Sequence, residues 1–164
     1  MSFYECLRAY PEGSSSASRM ALKAKSLGYG GIIICNKEPG SIFRPEAAER
    51  IRGIEVVIGA EVTARDARSL RSRIGSFRAR YPFLLVRATT EELVRTASED
   101  PNVDVLMLSG DSKRPLGIAA ARAAQLNQVA IGFDLDPFFR LSGRQRSRWL
   151  ESVERNLQLI RKFD

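Results

Sequence analysis

Four cations recur at near-helical intervals toward the end of this chain: Arg144, Arg148, Arg155 and Lys162. At 100° per residue they share one side of a helix, opposite an apolar stripe of Trp149, Leu150, Val153, Leu157 and Ile160. Guanidinium groups hold phosphate oxygens through paired donors, so a rigid row of them suits a polyanion such as RNA. The competing reading is an ordinary solvated face, because Glu151 sits at helical spacing from both Arg148 and Arg155. Arg146 points by its angle into the apolar stripe; it either snorkels there or precedes the true helix start.

A second set of candidates is acidic. Glu61, Asp134 and Asp136 fall near the C-terminal ends of predicted strands, where barrel enzymes keep their chemistry. Their oxygens suit Mg²⁺, so magnesium-dependent phosphoesterase chemistry on Glu61, Asp134 and Asp136 is the alternative function. The same carboxylates are equally suited to capping turns or pairing with arginines. Arg87, at the end of the fourth predicted strand, either salt-bridges a carboxylate or faces RNA. Lys113 and Arg114, in the loop after the fifth strand, are a pair of charges suited to phosphate contact.

Composition excludes much else. The 164 residues include no histidine, which removes Ser-His-Asp and Cys-His nucleophiles, histidine metal sites and an imidazole base. Cys6 and Cys35 are the only cysteines and sit in apolar, strand-like runs. They read as buried free thiols, and two cysteines without histidine cannot assemble a tetrahedral zinc site. Gly28 and Gly30 lack the third glycine of a dinucleotide loop, since Ile33 stands there, and no Walker A pattern occurs.

These candidates hang on a repeated strand–helix rhythm. Predicted strands are Phe3–Ala9, Gly31–Asn36, Glu55–Val62, Phe83–Ala88, Val103–Ser109 and the alternating run from Val129 to Leu135. Helices are expected after Ser16, over Pro45–Ile51, after Thr63 and Asp66 with a core stripe of Ala67, Leu70, Ile74 and Phe77, through Leu93–Ala97, and over Leu116–Leu126. Ser142 with Gln145 forms a capping-box pattern that opens the last helix, which runs to Lys162. Pro137 ends the strand before it. Six such units imply a parallel sheet covered by helices, either a barrel or an open doubly wound sheet, in one domain over residues 1–164.

The net charge is +7, and 21 of the 26 basic residues are arginine. Charge is also segregated: residues 65–80 carry six arginines against Asp66, whereas residues 89–111 carry six acids against Arg95. Separated basic and acidic surfaces can serve a polyanion on one side and a basic partner on the other. No run approaches the ~20 apolar residues of a membrane helix, and the N-terminus lacks a signal-peptide pattern, so a cytoplasmic protein is expected.

Several stretches carry a family resemblance. Ala24–Tyr29 ahead of Ile32–Asn36, the string Glu99-Asp-Pro-Asn-Val-Asp-Val-Leu106, and Val129–Ile131 leading to Arg148 and Arg155–Leu157 resemble the barrel-fold protein subunit of archaeal and eukaryal ribonuclease P, protein component 3. The resemblance implies a TIM-barrel-like parallel β/α fold related to the PHP phosphoesterases, here with about six units, incomplete or completed by another chain. It implies an RNA-binding scaffold that is not itself catalytic. The catalytic RNA, with Mg²⁺, would cut precursor tRNA to its mature 5′ end, and another small ribonuclease P protein subunit would be a partner. The chain itself would bind no cofactor. RNA-facing positions carried over are Arg87, Lys113, Arg114, Arg144, Arg148 and Arg155. Two departures stand out. Gly110 and Asp111 follow Ser109 where many relatives have a histidine, and relatives continue with further strand–helix units beyond the helix ending near Lys162.

Overall fold

A computed structural model describes residues 2–42, 53–108 and 116–163. The chain divides into two compact units, one of residues up to Glu61 with Ser76–Leu84, the other of Val62–Gly75 with Leu85 onward. The predicted helix Pro45–Ile51 lies outside the described residues.

In the first unit, β1 (Tyr4–Leu7), β2 (Gly31–Ile34) and β3 (Glu55–Ile58) form a parallel sheet in that order. β2 is buried along its whole length, as its uninterrupted apolar run requires of a strand covered on both faces. Ile32 and Ile34 pack with Ala21 and Ala24 of α1 (Ala17–Ser26), and Leu7, Met20 and Tyr29 close around them. Removing each isoleucine from water stabilises the unit by roughly 1.5–3 kcal/mol. The Ser16 side chain accepts the Arg19 N–H to start α1, and Gly28, at φ +85°, turns the chain out of it.

Asn36, fully buried just past β2, latches the chain just beyond β1. Its Oδ1 accepts the Ala9 N–H at 2.9 Å and its Nδ2 donates to the Ala9 carbonyl at 2.8 Å. Asn36→Leu should therefore cost about 2–4 kcal/mol, because two buried backbone groups lose their partners at once. A urea midpoint that falls with unchanged slope would show it; an unchanged midpoint would mean water replaces the amide.

The third predicted strand is two segments. β3 stops at Ile58 and β4 (Ala60–Val62) resumes after Gly59, where a Cβ would lie 2.8 Å from the Phe83 carbonyl oxygen. The missing side chain lets the Gly59 N–H reach Ile34 O while the next N–H, of Ala60, turns to Phe83 O. β4 begins a second sheet, β4-β5-β6-β7, in which β5 (Leu84–Ala88), β6 (Val105–Leu108) and β7 (Ala130–Phe133) run parallel. α2 (Ala67–Arg78) opens with the Asp66 carboxylate accepting the Ser69 N–H at 2.8 Å. That bond and the Ser69 hydroxyl hold the exposed Asp66 carboxyl below its ordinary range. Leu70 and Ile74 are the buried residues of α2, and Ala67 and Phe77 are half-buried. α3 (Glu91–Ser98) is capped by Thr90, and α4 (Ile118–Leu126) follows β6.

The end of the chain departs from expectation in four ways. A short helix, α5 (Asp136–Arg140), follows β7, with Pro137 in its first turn, where a missing N–H does no harm. Leu135, expected on the strand, lies beyond it and is 59% exposed. The last helix, α6 (Gly143–Ile160), starts after Ser142, but the Ser142 side chain makes no capping bond, so the Ser142–Gln145 box does not form. Its buried residues are Trp149 and Asn156, with Val153 and Ile160 half-buried, while Leu150 and Leu157 stay 44% and 42% exposed. The stripe is rotated because Asn156 Oδ1 accepts the Leu116 N–H at 2.8 Å. That polar anchor is invisible to a count of apolar spacing.

Candidate nucleic-acid interface

α6 presents the cationic row predicted for it. Arg144, Arg148 and Arg155 are exposed, and Lys162 is exposed just past the helix end. Among the described residues none of the three arginines is held in an ion pair. Arg155 turns its Nε to the Glu151 backbone carbonyl at 3.3 Å instead of to the Glu151 carboxylate. A row of guanidiniums without acidic partners keeps its donors for an incoming anion. Arg146 does snorkel: it is half-buried, donates from Nε to Leu141 O at 2.7 Å, and lays its guanidinium 5.3 Å from the Phe138 ring centre. It lies inside α6 and does not precede it.

Arg87 takes the first of its two readings. From β5 it crosses over β6 to donate from Nη1 to Asp134 Oδ2 at 2.9 Å, with the two side chains 23% and 32% exposed. The register places Arg87 beside Met107 and Met107 beside Gly132. A Cβ at position 132 would lie 3.0 Å from Val105 Cγ1 and 3.1 Å from Met107 Cε. Glycine thus leaves room for Met107 beneath the reaching arginine. Gly132→Val should cost about 1–3 kcal/mol through overpacking. An unfolding midpoint equal to wild type would show that Met107 simply swings aside. Lys113 and Arg114 lie outside the described residues.

The acidic candidates are each committed to an arginine. Glu61, 2% exposed in β4, accepts from Arg8 Nε at 3.0 Å and from Arg8 Nη2 on the same Oε2. Asp134 spends Oδ1 on the Asp136 N–H at 3.0 Å and Oδ2 on Arg87. Asp136 pairs with Arg140 at 2.8 Å, one helical turn on. Among the described residues no group of three or more His, Cys, Asp or Glu is arranged to hold a metal ion. The carboxylates serve as counter-charges here. Sequence reasoning passed over Arg8, Asn36 and Asn156. Arg8 carried one usable signal, since it shares the parity of Cys6 at the end of a strand. Among the described residues no helix is long and apolar enough to cross a membrane.

Parallel strands in consecutive order within each sheet, a helix after most of them and, among the described residues, an arginine row without ion pairs on the last helix define a parallel β/α protein with a basic helical face. Residues 2–164 match the family described as RNase P subunit p30, and the chain belongs to that family. It is 33% identical over 164 residues to ribonuclease P protein component 3 of Methanosarcina mazei, spanning 99% of this chain and 69% of that protein. The protein of the same name from Halorubrum lacusprofundi is 33% identical over 172 residues, covering 98% of this chain and 70% of the relative. In fold the chain is similar to a chain of the cryo-EM structure of archaeal ribonuclease P with mature tRNA. The TM-score is 0.79 at 22% identity, over 99% of this chain and 70% of that one.

Proposed function

We propose that this chain is an RNA-binding, non-catalytic protein subunit of ribonuclease P, supporting the catalytic RNA as it removes the 5′ leader from precursor tRNA. Membership of the p30 family over residues 2–164 carries the proposal. The partners are the ribonuclease P RNA, precursor tRNA and another small protein subunit of the same particle, in the cytoplasm, and Mg²⁺ acts at the RNA. Arg144, Arg148 and Arg155 face phosphates, together with Lys113 and Arg114. Arg87, held by Asp134, is not placed among them. Exposed guanidiniums on one helix, in no ion pair among the described residues, support this reading, since phosphate contacts position a protein on RNA without reading its sequence.

The test is reconstitution of precursor-tRNA cleavage from the RNA and the remaining subunits, with and without this chain. Cleavage that rises on its addition, most clearly at low Mg²⁺, is the expected result. A rate indifferent to its presence across Mg²⁺ concentrations would remove the assignment.

A further inference from the structure

Among the described residues the most exposed aromatic ring is Phe139 of α5, at 76%. Its neighbours fix its position. Phe138 stands nearly perpendicular to it, at 87° with the ring centres 5.3 Å apart. Phe138 in turn packs on the buried Trp149 of α6, with centres 6.2 Å apart. Arg146 sets its guanidinium against the Phe138 ring and bonds Leu141 O, which ties the end of α5 to the first turns of α6. The Leu141 N–H closes α5 onto Pro137 O at 2.8 Å. In a perpendicular pair a ring has at most one face covered by its partner. Phe139 therefore keeps a face open to solvent, on a chain of contacts that ends at a buried ring.

The charge around this ring selects what covers it. Residues 135–150 carry Arg140, Arg144, Arg146 and Arg148 against Asp136 alone, and Asp136 is paired with Arg140. A protein surface closing over Phe139 would draw the exposed Arg140 and Arg144 out of water, at a cost unless acids met them. RNA meets both demands, with phosphates for the guanidiniums and a flat base for the ring. A duplex hides its base faces in its own stack, so the base that fits is an unpaired one. A ring already held in place loses little freedom on binding.

We infer that Phe139 is a stacking platform for an unpaired base of the bound RNA, beside the half of α6 that carries Arg144 and Arg148. The inference rests on the reading of this chain as an RNA-binding subunit and adds the kind of RNA it takes. The arginine row holds phosphates of either a paired or an unpaired strand, whereas the Phe139 ring takes only a base that has left its stack.

The experiment measures binding of the whole chain to a single-stranded oligoadenylate of about 12 nucleotides and to an RNA duplex of similar length, over a range of salt. Phe139→Ala should weaken oligoadenylate binding by roughly 5- to 150-fold and leave duplex binding near wild type. Its slope of log affinity against log salt should match wild type, because stacking releases no counterions. Phe139→Trp should keep the affinity, and Phe139→Leu, apolar but without a π face, should not. Wild-type affinity of Phe139→Ala for oligoadenylate, or full rescue by Phe139→Leu, would overturn the platform while leaving the arginine row and the RNA-binding reading in place. Unchanged oligoadenylate binding with loss of assembly with another protein subunit would also overturn it and give the ring to a protein partner. A wild-type chain that binds neither RNA would remove the RNA-binding reading and the platform with it.

Discussion

Replacing Arg144, Arg148 and Arg155 together by alanine is expected to weaken binding to the ribonuclease P RNA by about 10²–10³-fold at low salt, at roughly 1–1.5 kcal/mol for each charge-assisted contact. The fold should survive, since exposed substitutions of this kind change stability by about 0.5 kcal/mol or less. The salt dependence separates a true phosphate row from a merely solvated face. Each lost phosphate contact should lower the slope of log affinity against log salt by about one, so the triple variant should lose about three. Arg95→Ala is the matched control, because Arg95 is tied to Glu99 at 2.9 Å and its removal should leave RNA affinity near wild type. A triple variant with wild-type affinity and slope would return α6 to the status of an ordinary solvated helix. Equal losses for Arg95→Ala would mean that net charge alone, and not the row, does the binding.

The second large effect lies in the first unit. Arg8→Ala leaves Glu61, 2% exposed, without the guanidinium that holds its Oε2 through two donors. Breaking a buried pair from one side costs about 3–5 kcal/mol, because the remaining charge stays in a poorly solvating site. The Arg8 side chain is 38% exposed, so water can take over part of its role, and about 2–4 kcal/mol is expected. Glu61→Ala should also destabilise the chain, and the double variant by less than the sum, with a coupling of about 1–3 kcal/mol. The paired replacement Arg8→Met with Glu61→Leu should recover much of the loss, as apolar substitutes for buried ion pairs often do. Strictly additive single effects in chemical unfolding would show that the two side chains merely lie close.

Much of the secondary structure was legible because it is local. The run Gly31–Asn36 reads as a doubly covered strand, and the strand observed within it, Gly31–Ile34, is buried throughout. Leu70 and Ile74 mark the inner face of α2 at helical spacing, and both are buried. The arginine row was legible for the same reason, since a 3.6-residue period fixes which side chains share a face before any tertiary contact forms. The errors fall where a local signal was overruled. Leu150 and Leu157 fit the apolar period but are left partly exposed, because Asn156 seats α6 by bonding Leu116, 40 residues away. The Ser142 cap failed although its sequence pattern was complete.

Sequence by itself determined the parallel strand–helix order, the absence of imidazole chemistry and the row of cations on the last helix, all of which follow from residue type and short-range spacing. Only the tertiary structure decided which charges are neutralised. Glu61 meets Arg8 across 53 positions and Asp134 meets Arg87 across 47, and neither partner is specified by any local period. Those pairings turn two candidate metal ligands, Glu61 and Asp134, into counter-charges, while Arg144, Arg148 and Arg155 of α6 are exposed and, among the described residues, in no ion pair. The physical reason is that a side chain's period is set by its own backbone, but its electrostatic partner is set by which strands the fold brings alongside.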